Sequence, residues 1–172
     1  MINYEEINRM MDKTSKIPYP KIPDLYPNSR YARMIQEDFA GKDGELTAIT
    51  QYIYEHINFS DKEKLSLVLK RIAIEEMRHL DILGEIIKKL GGKAHYINSN
   101  EDQWTAKNVN YNIENLKEIM RYNILSEEKA IMGYRKAMRY TNNIQLRRVF
   151  ERIIIDENMH KEIFKSILEG MN

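Results

Sequence analysis

Apolar side chains recur at three- and four-residue steps along four stretches of this 172-residue chain, and each stretch has a carboxylate set into its apolar stripe. With about 100° per residue, the face centred on Glu76 collects Leu69, Ile72, Ala73, His79, Leu80, Leu83 and Ile87. The face centred on Glu157 collects Phe150, Ile153, Ile154, His160, Phe164 and Leu168. Glu45 shares a face with Ala48, Ile49, Tyr52 and His56, and Glu127 with Met120, Ile124, Ala130, Ile131, Tyr134 and Met138. The period is helical in all four, and no stretch predicts a strand. A carboxylate buried alone on such a face is very costly, so the pattern demands something that compensates the charge.

Punctuation between these stretches predicts the order of the elements. Residues 1–16 suit a short helix. All four prolines (Pro18, Pro20, Pro23 and Pro27) fall in the next segment, IPYPKIPDLYP, which cannot be helical and reads as an extended arm. Asn28 or Ser29 can cap the helix that follows. That helix meets Gly41 and Gly44, where a break or kink is expected, and continues from Glu45. Ser60-Asp61-Lys62-Glu63 reads as a capping box that starts the second long helix, and Gly91-Gly92 stops it. Gly84 inside that helix suggests close packing.

A polar connection from Gly91 to Tyr111, containing the single Trp104, then reaches on the order of 60 Å when extended. That is enough to cross a bundle and start a third helix, Asn112 to Tyr140, parallel to the second. Thr141-Asn142-Asn143 recaps the chain, and a fourth helix ends at Gly170. The expectation is an all-α four-helix bundle over residues 29–172, with a long crossover between its second and third helices. An N-terminal arm, residues 1–28, precedes it. Five apolar residues of the arm, Ile17, Tyr19, Ile22, Leu25 and Tyr26, need a surface, either on their own bundle or on a neighbour. A homo-oligomer in which residues before Asn28 cross to a neighbour is expected.

The two halves of the bundle resemble one another. ELTAITQY from Glu45 aligns with EEKAIMGY from Glu127, and each half follows with Glu-x-x-His: Glu76 with His79, Glu157 with His160. The separation from first Glu to second is 31 residues in one half and 30 in the other. Two such hairpins about a pseudo-twofold axis bring Glu45, Glu76, His79, Glu127, Glu157 and His160 to one level. This set matches the ligand pattern of di-iron and di-manganese carboxylate bundles. Four glutamates would balance two divalent ions. Glu75 and Asp156, each one residue before a Glu-x-x-His, are positioned either to hold the free ring N–H of a histidine on the facing helix or to lie solvated. Tyr52 and Tyr134 either hydrogen-bond ligand carboxylates or fill the core. His56 lies too far along its helix to join the site, His95 falls in the loop, and Glu128 is turned off the stripe.

Composition narrows the classes of function. A net charge of +1 gives no reason to expect nucleic acid or an anionic membrane as partner. No apolar stretch is long enough to span a bilayer, and no secretory leader is expected. The absence of cysteine excludes disulfides and thiolate chemistry, and a reducing cytoplasm is the expected location.

From about Tyr26 to Leu168 the chain resembles the ferritin-like superfamily. ELTAITQY followed by IEEMRHLDILGEIIKKLGG is similar to bacterioferritin, which implies that the six residues above hold two irons. It also puts Met77 at the position of that family's haem-ligating methionine. The order YP, GKDGELTA, IAIEEMRHLDIL resembles manganese catalases and their short spore-coat relatives. That implies two manganese ions, with Glu157 as a ligand or as a base beside the site. Rubrerythrins are also similar, but Ala130 stands where they carry a further Glu, and this chain has no cysteine module. The implied function is a di-metal carboxylate oxidoreductase consuming hydrogen peroxide, in which Glu157, Tyr52 and Tyr134 take part. The alternatives are a bacterioferritin-like ferroxidase and iron store, or a coat protein that keeps the metal site for structure.

Overall fold

The computed structural model describes residues 2–112 and 114–171; Met1, Ile113 and Asn172 lie outside them. It is all-helical among the described residues. The helices are α1 (Tyr4–Ser15), α2 (Ser29–Ala40), α3 (Glu45–Asn58), α4 (Glu63–Lys89), α5 (Leu116–Arg139) and α6 (Ile144–Glu169). The first helix of the bundle is divided into α2 and α3 at Gly41 and Gly44, where a break was expected. A Cβ on Gly41 would stand 2.4 Å from the Glu37 carbonyl oxygen, so the turn has no room for a side chain.

Asparagines start most of the helices: the Asn3, Asn28, Asn115 and Asn143 side chains each accept from a backbone N–H of the first turn. The expected capping box at Ser60 does not form. Helix α4 begins at Glu63 behind Lys62, with no side-chain cap. Phe59 is buried, and the Lys62 N–H bonds to its carbonyl at 2.8 Å, so Ser60 and Asp61 are used in the turn. At the other end Gly91 takes φ +80. Gly92 N–H reaches Ile87 O and Gly91 N–H reaches Lys88 O, both at 2.9 Å, which closes the helix in a Schellman motif.

Paired contacts fix the directions of the helices. Tyr52 meets Glu127 and Tyr134 meets Glu45, so α3 and α5 run antiparallel. His79 meets Asp156 and Glu75 meets His160, so α4 and α6 do too. The second and third long helices, α4 and α5, are therefore parallel. The crossover between them carries one 3-10 turn (Ala106–Asn108), and Trp104 Nε1 donates to Thr47 on α3 at 2.9 Å.

The apolar core has two halves. One joins Ile35 and Phe39 of α2 to Leu83 and Ile86 of α4 and to Phe150 and Ile153 of α6. The other joins Ile7 and Met11 of α1 to Leu69 and Ile72 of α4 and to Ile163 and Phe164 of α6. A polar layer separates them.

Within the chain the arm packs on its own bundle, while Ile17 and Tyr26 stay exposed. Ile7, Met11 and Ile22 are buried in the core of the same chain, and Asn28 N–H bonds to Leu90 O at 2.9 Å. Full burial of each such side chain contributes about 1.5–3 kcal/mol, which ties the segment before Asn28 to the core of its own chain.

Candidate metal centre

Four helices contribute to the polar layer. Glu45 opens α3, Glu76 and His79 sit midway along α4, Glu127 on α5, and Glu157 and His160 on α6. All six are buried, none more than 3% exposed. They form two overlapping groups: Glu45, Glu76, His79 and Glu157, and Glu76, Glu127, Glu157 and His160. Within each group one ligand atom per residue lies within 4.8 Å of the others. Glu76 and Glu157 belong to both, the arrangement expected of carboxylates that bridge two ions.

The donor set fits a pair of divalent cations. Glu76 Oε1, both carboxylate oxygens of Glu157 and His160 Nδ1 are buried with no hydrogen-bond partner. Buried polar atoms are nearly always satisfied, so four orphans facing one another point to a missing electrophile. Burial raises the Glu45 and Glu127 carboxyls well above their ordinary range, and their glutamate neighbours add to it. Burial opposes charge on His79 and His160 as well, yet the surrounding glutamates pull both rings well above the usual imidazole value. Burial likewise opposes ionisation of Glu76, but His160 and His79 hold it below the usual range. Protons are standing in for cations here.

Each histidine turns Nδ1 toward the carboxylates and Nε2 away from them. His79 Nδ1 lies 2.7 Å from Glu76 and 3.1 Å from Glu157; His160 Nδ1 lies 3.0 Å from Glu76 and 3.4 Å from Glu157. On the far side, Asp156 Oδ2 is 3.2 Å from His79 Nε2, and Glu75 Oε2 is 2.8 Å from His160 Nε2. An ionised carboxylate only accepts, so it fixes the ring proton on Nε2 and leaves the Nδ1 lone pair for a metal. Of the two readings open for Glu75 and Asp156, the geometry realises the histidine contact.

Tyr52 donates to Glu127 and Tyr134 to Glu45, each across the bundle from one half to the other. Burial, followed by those carboxylates, raises both phenols, so they remain donors. His56 stays outside the layer, its Nδ1 2.7 Å from Ser66 Oγ between α3 and α4. His95 and Glu128 are exposed.

Outside the six candidate ligands, Tyr19, Arg152, Glu55, Gln51 and Asn123 were given no site role in the sequence analysis. Tyr19 and Asp156 share a hydrogen bond, and Arg152 pairs with Asp156 at 2.5 Å. Glu55, fully buried, accepts from Gln51 at 2.8 Å and from Asn123 at 2.7 Å. Glu55 lies about 80° round the helix from Glu45, at the edge of the apolar face, so the helical period marked it only weakly.

A pocket of about 30 Å³ reaches the layer between α3 and α5. Asp38, Asp43, Tyr122 and Ser126 line it together with Ala130, and it touches Glu45, Glu76, Glu127 and Glu157. Burial, with Glu37 beside it, pushes the Asp38 carboxyl up to about 7. The Lys129–Asp43 ion pair, 3.0 Å, joins α5 to the loop before α3 near this opening.

Comparison with known proteins places this geometry in context. Residues 10–96 match the family model described as manganese containing catalase. A probable manganese catalase of Clostridium acetobutylicum is 28% identical, over 84% of this chain and 75% of its own length. A bacterioferritin of Desulfovibrio desulfuricans is 31% identical, over 80% of this chain and 75% of its own length. Among solved structures, wild-type KatB, a manganese catalase from Anabaena, superposes with a TM-score of 0.82. It has 23% identity and the match covers 91% of this chain and 79% of that one, which speaks for a shared fold.

Proposed function

The chain belongs to the manganese containing catalase family, and from that premise we propose that it consumes hydrogen peroxide at a di-metal carboxylate centre. The observation that carries this reading is the pair of four-residue groups sharing Glu76 and Glu157, with orphaned ligand atoms turned inward. Glu45 and His79 would hold one ion, Glu127 and His160 the other, and Glu76 and Glu157 both. Manganese is the metal of the matched family; iron suits the same donors. When bound, such a pair supplies the two-electron change that converts two peroxides into dioxygen and two waters.

The protein's own residues do the rest. Glu45 and Glu127 are kept in place by the Tyr134 and Tyr52 hydroxyls, which do not titrate near neutrality. The small pocket has room for a molecule of peroxide size. Protons released or taken up in turnover have carboxylate acceptors within the layer, and Glu157, with two oxygens lacking hydrogen bonds, is the one we assign to that role beside its place as a ligand. Asp38, at the pocket wall, connects these groups with the surface.

The bacterioferritin relative favours one second reading, in which the centre oxidises Fe(II) for storage. One experiment separates the two. Protein from its native host is assayed for metal and then given peroxide at an oxygen electrode. Two manganese per chain with release of oxygen supports the catalase reading. Uptake of many irons per chain without oxygen release replaces it with storage.

Homo-oligomerisation is part of the proposal, because Leu67, Ile74 and Met77 leave an apolar stripe on α4 about half exposed. A monomeric mass in light scattering would remove it. A cytoplasmic location is proposed from the lack of cysteine; no described helix is long and apolar enough to cross a membrane.

A further inference from the structure

The arm carries Tyr19 to the back of His79. The Tyr19 hydroxyl lies 3.1 Å from His79 Nε2, the ring nitrogen turned away from the carboxylate cluster, and it donates to Asp156 Oδ2. Asp156 Oδ2 in turn is 3.2 Å from the same Nε2. Phenol, carboxylate and imidazole therefore meet at one point.

Arg152 of α6 fastens this point to the arm backbone. Its guanidinium sits 4.2 Å from the Tyr19 ring centre and 2.5 Å from Asp156 Oδ1. Its Nε donates to the Ile17 carbonyl at 3.0 Å and one terminal nitrogen to the Thr14 carbonyl at 3.1 Å. Arg78 of α4 covers the ring at 5.0 Å. The other histidine has nothing equivalent: among the described residues, the hydrogen-bond partner of His160 Nε2 is Glu75, which is partly exposed. The pseudo-twofold symmetry of the centre is broken by the arm.

We propose that Tyr19 is a positioning residue for the metal position at His79, so that docking of the arm and metal binding at that position favour one another. The inference rests on the metal-centre reading above. Asp156 has to be oriented for its Oδ2 to accept from Nε2–H and so leave the Nδ1 lone pair facing the carboxylates. Tyr19 and Arg152 fix that orientation from opposite oxygens. Partners of this kind typically change metal affinity by about 10–100-fold. Thermodynamic linkage is reciprocal, so whatever the docked arm adds to metal affinity, the bound metal returns to arm docking.

The test uses the full chain, wild type and Tyr19→Phe, which keeps the ring between the two arginines and loses only the hydroxyl. Mn(II) is titrated into each against a chelator, with EPR as a second readout. Tyr19→Phe is expected to weaken one of the two binding steps about tenfold or more and leave the other unchanged. At intermediate loading its spectrum should be that of an isolated ion, where the wild type shows a coupled pair. Trypsin supplies the reciprocal measurement, since Lys16 and Lys21 flank Tyr19 and are exposed. Manganese should slow cleavage at both in the wild type and do so less in Tyr19→Phe.

Two ions bound to Tyr19→Phe with wild-type affinities, equal weakening of both steps, or cleavage indifferent to metal in the wild type would each overturn the inference. A wild type that binds no manganese or iron would overturn the metal centre, and this inference with it. The two failures are therefore told apart by the wild-type titration.

Discussion

Glu75 Oε2 lies 2.8 Å from His160 Nε2, while Nδ1 of the same ring points inward, 3.0 Å from Glu76. The side chain of Glu75 is 22% exposed, so water can enter the place it leaves and take up the hydrogen bond from His160 Nε2–H. Glu75→Ala should therefore fold as the wild type does but bind one of two metal ions about 10–100-fold more weakly. Thermal denaturation of the metal-free protein checks the first part and chelator competition the second. Unchanged affinity at both positions would mean that Glu75 is a surface charge with no hold on the ring.

The sharing of Glu76 and Glu157 between the two groups gives a stoichiometric prediction. Glu76→Ala removes a donor from both positions and should leave less than one tightly bound ion per chain. His160→Ala touches one position and should retain the ion near His79. Metal analysis after gel filtration distinguishes the two variants. If both keep two ions, the ligand assignment fails. Metal loading should also raise the melting temperature, and the gain should shrink in acid, where protons compete for the same oxygens and Nδ1 atoms.

Glu55 offers a pH test away from the metal layer. Burial pushes its carboxyl up to about 7, although the Asn123 and Gln51 amides pull the other way. An unfolded glutamate titrates near 4.3, so between about pH 4.3 and 7 the folded chain holds the extra proton. Stability contributed by this group is then full at the acidic end and is lost as pH rises through that window. Glu55→Gln removes the titration. Relative to wild type it should gain about 2 kcal/mol in urea unfolding between about pH 5.5 and about pH 8. Taking the difference between the two proteins cancels titration of the metal layer, which both share. A difference independent of pH would show that Glu55 is ionised throughout.

What the sequence made legible follows from the kind of physics involved. The cluster of six candidate ligands was readable because each member lies on a helix face whose period is fixed, and because the two halves repeat; Glu45 and Glu127 were picked out through that repeat as much as through their own surroundings. Tyr52 and Tyr134 were readable as far as their face, while their choice of carboxylates in the opposite half depends on how the hairpins dock. Tyr19 could not be found this way. Its segment has no period, and its contact with Asp156 spans 137 residues. The partners of Arg152 outside its own helix, the Thr14 and Ile17 carbonyls, lie far away in sequence and leave no signal in α6. The capping box at Ser60 failed for a similar reason: burial of Phe59 outweighed a local motif, and the turn consumed the cap.

The pocket leads to a prediction about substrate size. The cavity between α3 and α5 is only about 30 Å³, which suits a substrate of a few atoms. Hydrogen peroxide fits this description, and a hydroperoxide with an aromatic or branched alkyl group does not. Ala130 lines the pocket on α5, one residue type that leaves the space open, and its side chain is not among the metal-facing groups. Ala130→Leu adds three carbons to that wall. It should reduce kcat/KM for hydrogen peroxide by about tenfold or more, a barrier increase of about 1.4 kcal/mol, while both metal ions stay bound. Oxygen evolution and metal content are measured on the same preparation. Loss of metal in the variant would place Ala130 in the packing of the centre. Full activity with full metal content would mean that substrate reaches the carboxylates by a route other than the gap between α3 and α5.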